Sequence, residues 1–147
     1  MTSKPTILII SGGGHTPAHF RPLQILFEHR RYAVHSPRLP SNCLLLANDS
    51  SAEDVTLARK IATRLSNEGK EIIVLMHSYG GFVGTEAMCG LGLIQRARAG
   101  LTGGVKWLAY MTAVTPMKGE STIEAGMVGG GTSWTSPDTR SAFIEYT

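Results

Sequence analysis

Ile72-Ile-Val-Leu-Met-His-Ser-Tyr-Gly-Gly-Phe-Val-Gly84 is the stretch on which the reading of this chain turns. Five apolar residues, Ile72 to Met76, form a run of strand length that stops at His77-Ser78-Tyr79-Gly80-Gly81, and a helix-compatible segment follows at once. A strand that turns sharply into a helix at a serine lifts the hydroxyl clear of the sheet. It also forces the serine backbone into strained torsions that tolerate little bulk nearby. Gly80 and Gly81 leave that space on the C-terminal side. The helix that starts beside Ser78 aims its free N–H groups and the positive end of its dipole at any negative charge developing there. The match to G-x-S-x-G is imperfect, because Met76 stands where the first glycine belongs. Met76 reads as a core residue fitted by a slightly shifted helix, and the signal rests on the strand before the serine and the helix after it.

Working back toward the N-terminus, Thr6 to Ile10 is a continuous β-branched, apolar run, the pattern of a strand buried on both faces of a parallel sheet. It ends in Ser11-Gly12-Gly13-Gly14-His15, where successive glycines leave backbone N–H groups bare for the close approach of a ligand oxygen. Pro17 suits the first turn of a helix reaching about Arg30, with Phe20, Leu23, Leu26 and Phe27 on its apolar side. Residues 32–36 read as a second strand and Pro37 to Asn42 as a rigid loop leaving its end. The apolar Leu44 to Leu46 is unusual for a linker. Ser51 reads as an N-cap with Asp54 three residues on, opening a helix that stops at Gly69.

Beyond the central stretch, Phe82 to Cys89 and Leu93 to Ala99 read as helices, and residues 105–111 as a fourth strand. From Thr112 onward the periodicity fades. Gly126 to Gly131 and the residues to Asp138 read as a loop, and Thr139 to Tyr146 as a helix without an obvious partner. Strand-helix alternation repeated four times predicts an α/β three-layer sandwich with a parallel sheet and right-handed crossovers. The order 2-1-3-4 places a switch point between the first and third strands, so that the glycine loop and Ser78 meet across one crevice. Residues 1–147 read as one domain, with the sheet core in 1–111 and a cap or irregular tail in 112–147.

Composition sets limits on the rest. The 147 residues are 42% hydrophobic and 17% charged, ordinary for one globular domain with a moderate core. The net charge of +3 is spread over small groups (Arg30-Arg31, Arg59 to Arg64, Arg96 and Arg98) separated by acids and without interleaved aromatics. That pattern argues for solvated helix ends and against a nucleic-acid partner. The apolar run Ile7 to Ile10 is too short for a signal-peptide core or a membrane span, so a cytoplasmic, soluble protein with no membrane partner is expected. Cys43 and Cys89 are far apart and in no metal-binding spacing, which predicts free, buried thiols and no bound metal or other cofactor.

Taken together, Ile7 to His15 with Phe20, Tyr32 to Ser41, His77 to Gly81 and Leu108 to Pro116 resemble the α/β-hydrolase family, in particular the group of plant methylesterases, hydroxynitrile lyases and fungal esterase-like proteins. The resemblance implies that Ser78 is the nucleophile of an ester hydrolase acting on a small molecule. It also implies that the backbone N–H groups of Tyr79 and Gly13 form the oxyanion hole. His15 is then a structural residue fastening the glycine loop, with Gly12, Gly14, His77 and Gly80 as supporting positions. Trp134 and Phe143 would line an acyl pocket or cover a sheet edge.

One departure stands out. In that family the acid and the histidine follow the serine along the chain, whereas His15, His19, His29, His35 and His77 all precede Ser78. The chain is therefore expected to correspond to the N-terminal half to two-thirds of the usual fold. The alternatives are a base supplied in trans, which makes the working form an oligomer of like or unlike chains, and a local substitute, His15 or His19. Two readings from other classes compete: a non-catalytic protein that keeps the hydrolase pocket, and an NADP-binding Rossmann domain suggested by Gly12 to Gly14 and Arg38. The Rossmann fingerprint fails where Pro17 replaces its third small residue.

Overall fold

The computed structural model describes residues 4–43 and 51–115, together with the backbone of 143–145. β1 (Thr6–Ile10), β2 (Val34–His35), β3 (Glu71–His77) and β4 (Gly104–Met111) form a parallel sheet, and β5 (Phe143–Glu145) pairs antiparallel with β4. The strand order β2-β1-β3-β4-β5 contains the expected 2-1-3-4 arrangement.

All five residues of β1 are buried, because both faces of the strand are covered. Ile7 and Ile9 point one way, joining Phe20 and, from α1 (Arg21–His29), Leu23 and Phe27. Leu8 and Ile10 point the other way, into the larger core built with Ala58, Ala62 and Leu65 of α2 (Ser51–Asn67) and Val83 and Ala87 of α3 (Gly80–Ala87). β3 repeats the division, with Ile72, Val74 and Met76 in the larger core and Ile73 and Leu75 on the α1 side. One helix therefore covers one face and two cover the other, which fixes the three layers. α4 (Leu93–Arg98) leads into β4.

Several local expectations change. β2 is two residues long where five were expected, because Arg31 still turns with φ 61° and Tyr32 N–H donates to Phe27 O at 3.1 Å, closing α1. Pro37, with no N–H to give, follows just past its other end. The single helix expected from Pro17 is a 3₁₀ turn, Pro17–Phe20, followed by α1, with Pro22 unable to continue the hydrogen-bond ladder across the junction. The helix expected over Thr139 to Tyr146 is corrected at 143–145, which form β5. This pairing fills backbone positions along β4 that would otherwise face outward as an open edge.

Cys43 is half-buried and Cys89 exposed, so the expectation of buried thiols is corrected for Cys89. Arg96 is buried rather than solvated. Its Nε donates to Gly103 O at 2.9 Å, and its Nη2 to Asn67 Oδ1 at 3.0 Å and Thr102 O at 3.1 Å, which fastens the loop ahead of β4. Leu44 to Leu46, Gly126 to Gly131 and Trp134 lie outside the described residues, as do the side chains of 143–145.

Candidate active site

Ser78 lies between the end of β3 and the start of α3 with φ 50°, a left-handed conformation uncommon for any residue but glycine. Its carbonyl accepts from Gly81 N–H and from Val114 N–H, each at 3.0 Å, so the turn is tied both to its own helix and to the segment leaving β4. Glycines surround it for steric reasons. A β carbon at Gly80 would run into the carbonyl oxygens of Ile10 and Ser11, and one at Gly81 into the carbonyl of Val114. Met76, fully buried, fits because Gly84 on the facing helix leaves room: a β carbon there would collide with the Met76 sulfur.

The loop after β1 meets this turn. A β carbon on Gly12 would come within 3.0 Å of Ser78 Cβ and 2.9 Å of His77 Nδ1, whereas one on Gly13 would reach no nearer than 4.0 Å, to Tyr79 Cβ. Gly12 therefore makes the close approach, and Gly13, one residue on, is exposed at the mouth of the crevice. The loop is held by Asn42. Its Oδ1 accepts Gly14 N–H at 2.7 Å, and its Nδ2 donates to His15 O at 2.7 Å and Gly12 O at 3.0 Å. His15 adds an Nδ1–H bond to Gly13 O at 2.9 Å.

The three histidines nearest the crevice are engaged with the loop and its packing. His19 Nδ1 accepts Thr16 N–H at 3.0 Å, and the His77 ring meets those of His15 and Phe20 edge-on at centroid distances of 4.9 and 5.7 Å. His77 Nδ1 is buried without a hydrogen-bond partner and faces Gly12. Among the described residues, none hydrogen-bonds to Ser78 Oγ. No group of three His, Cys, Asp or Glu side chains there could hold a metal ion, and no helix there is long and apolar enough to cross a membrane.

Two residues of the site carry no local sequence signal. Asn42 reads as loop, yet it bonds to backbone some 30 residues earlier. Asp54, expected as the partner of a Ser51 cap, is fully buried. Its Oδ1 accepts Ser41 N–H at 3.0 Å and its Oδ2 accepts Tyr79 O–H at 2.9 Å.

Burial, and then the charge that His15 can carry beside it, lower the pKa of His77 from its ordinary value. Burial and then Arg64 lower that of His35, with Glu68 opposing. A lowered histidine pKa means that the folded state resists protonation more than the unfolded chain does. The stability that both groups contribute is complete above the unfolded value of about 6.5 and is lost as pH falls through the lower folded values. The urea midpoint is accordingly expected to drop between pH 7.5 and pH 5.5, and to drop less in a His35→Gln, His77→Gln double variant. Equal drops in the two proteins would show that other groups set the acid response.

A parallel sheet in the order 2-1-3-4, with a serine in a left-handed turn between its third strand and the next helix, defines the α/β-hydrolase class. This chain belongs to the alpha/beta hydrolase family, whose model matches residues 7–145. It is 30% identical over 118 residues to the alpha/beta hydrolase nvfD of Aspergillus novofumigatus, covering 80% of this chain and 46% of that protein. A probable hydrolase, R7, of a Phoma species is 29% identical over 130 residues, covering 84% of this chain and 48% of the relative. The chain thus spans about half the length of the curated relatives it matches. Family membership sets aside the Rossmann reading.

Proposed function

We propose that this chain carries the nucleophile half of a serine-hydrolase centre acting on a small-molecule ester or lactone. Ser78 Oγ attacks the acyl carbon while its proton passes to a base. The carbonyl oxygen, now an oxyanion, receives the backbone N–H groups of Tyr79 and Gly13. Collapse expels the alcohol, which takes up the proton, and water releases the acid from the acyl-serine. Gly12, Gly14 and His15 shape the donor loop, and His77 and Gly80 the turn. The observation that carries this reading is the left-handed Ser78 backbone at φ 50°, whose carbonyl accepts from both Gly81 N–H and Val114 N–H. Strain of this kind costs on the order of 1–3 kcal/mol and persists where geometry is over-determined. The two relatives, both named as hydrolases, support the same reaction class.

The base is the missing component. All five histidines precede Ser78 along the chain, His15 Nδ1 and His19 Nδ1 are engaged with the loop backbone, and among the described residues none hydrogen-bonds to Ser78 Oγ. A serine hydroxyl without a base is a weak nucleophile at neutral pH. Without the full triad, oxyanion-hole and binding contributions leave about 10³ to 10⁴ over water. Residues 1–147 are therefore expected to hydrolyse p-nitrophenyl acetate slowly, and the acid and base to come from elsewhere in a longer chain or from a partner subunit. Added imidazole tests this. It is expected to raise the hydrolysis rate of the wild-type protein well beyond its effect on Ser78→Ala. Equal imidazole responses in the two proteins would favour a non-catalytic protein that keeps only the pocket.

A further inference from the structure

Asp54 has an unusual environment for a helix carboxyl group. It is fully buried, and among the described residues no Lys, Arg or His forms an ion pair with it. Its oxygens are taken by neutral donors, Ser41 N–H at 3.0 Å and Tyr79 O–H at 2.9 Å. A small apolar residue would fill the same site on α2 without the desolvation penalty of a carboxyl group. What the carboxyl adds is a connection between two loops.

That connection continues on both sides. Ser41 precedes Asn42 in the short 3₁₀ turn Pro40–Asn42, and Asn42 grips the glycine loop through Gly12 O, Gly14 N–H and His15 O at 2.7–3.0 Å. Tyr79 is the residue after Ser78 and the N-cap of α3. One hydrogen-bonded path therefore runs from the backbone of the glycine loop through Asn42, Ser41 and Asp54 to the Tyr79 side chain. Gly13 and Gly14 are exposed and have no side chains to pack, so polar bonds must hold that loop in place.

Building on the reading of Ser78, Gly13 and Tyr79 given above, we propose that Asp54 is a positioning residue: it sets the two oxyanion donors relative to each other by joining Tyr79 to the Ser41-Asn42 turn. The donors sit on different segments, one after β1 and one after β3, and a transition-state oxygen requires both within about 2.7–3.1 Å. Misplacement by about 1 Å can cost roughly a hundredfold in rate.

The test compares wild type, Asp54→Ala, Asp54→Asn and Tyr79→Phe in the 147-residue chain. It follows amide hydrogen exchange at Gly14 against Leu8 in the β1 core, and the rate of Ser78 phosphonylation by a fluorophosphonate. Asp54→Ala and Tyr79→Phe are expected to speed Gly14 exchange about tenfold relative to Leu8 and to slow phosphonylation about tenfold or more. Asp54→Asn keeps an acceptor for Ser41 N–H and offers a donor to the Tyr79 oxygen, so it should retain most of both values. If Asp54→Ala fails to fold, Tyr79→Phe decides, since it keeps the ring stacked on Phe82 at a centroid distance of 6.4 Å. A labelled wild type with Gly14 exchange tracking Leu8 and unchanged phosphonylation in the variants overturns the proposal alone. A wild-type Ser78 that never reacts overturns the hydrolase reading and the proposal with it.

Discussion

Gly80→Ala is expected to destabilise the protein by about 3 kcal/mol or more, a large share of the roughly 5–15 kcal/mol that holds a domain of this kind together. The added methyl group would land on the carbonyl oxygens of Ile10 and Ser11 at the end of β1. These are backbone atoms of a buried strand and cannot swing aside as a flexible side chain would. Relief requires α3 to lift from the sheet, which unpacks Val83 and Ala87 from the larger core, or β1 to fray at its C-terminal end. Two glycine variants serve as controls. Gly13→Ala meets nothing nearer than Tyr79 Cβ at 4.0 Å and should be close to neutral. Gly90→Ala has open space but φ 78°, and should lose about 1 kcal/mol from backbone strain alone. Urea midpoints of the three variants measure the series. Gly80→Ala within 1 kcal/mol of wild type would show that the helix is not seated on the strand end as described.

The parts of this fold that were legible in the sequence are those whose signal is local. Thr6 to Ile10 and Ile72 to Met76 are apolar runs with glycines shortly after them, and such runs suit strands covered on both faces of a parallel sheet, fully for β1 and, for β3, fully on one face and partly on the other. Their order followed from one topological rule, which also set the glycine loop across the crevice from Ser78, and within that loop it is Gly12 that makes the close approach. Interactions between distant residues left no such trace. Asn42 and Gly12 are 30 residues apart, and Asp54 and Tyr79 are 25 apart. Neither pair has a periodicity or spacing that marks it, so Asn42 read as loop and Asp54 as half of a helix cap. β5 was missed for the same reason: three residues gain a strand conformation from the edge of β4, and their own pattern does not dictate it. The space that Met76 occupies became explicable once Gly84 was seen opposite it.

Ser78→Ala is the second substitution with a large expected effect, and its effect is chemical rather than structural. Alanine keeps the β carbon and loses only the hydroxyl, and among the described residues none hydrogen-bonds to that oxygen, so the fold has little to lose. A fluorophosphonate carries a phosphoryl oxygen that can enter the proposed Gly13 and Tyr79 donors and a fluoride that leaves without protonation by a general acid. It therefore reports the nucleophile and the oxyanion donors without a general acid, and the lack of a base slows the attack. Phosphonylation of the wild-type chain should be slower than in a complete serine hydrolase, because the base is lacking, and the substitution should abolish the adduct at this position, leaving the background of the other hydroxyl groups. The most direct measurement is peptide mapping of the wild-type adduct by mass spectrometry. A single phosphonyl group on Ser78, absent from Ser78→Ala, is the expected result. An adduct on a different residue, or none in a sample whose circular dichroism shows it folded, would contradict the assignment of Ser78 as the nucleophile.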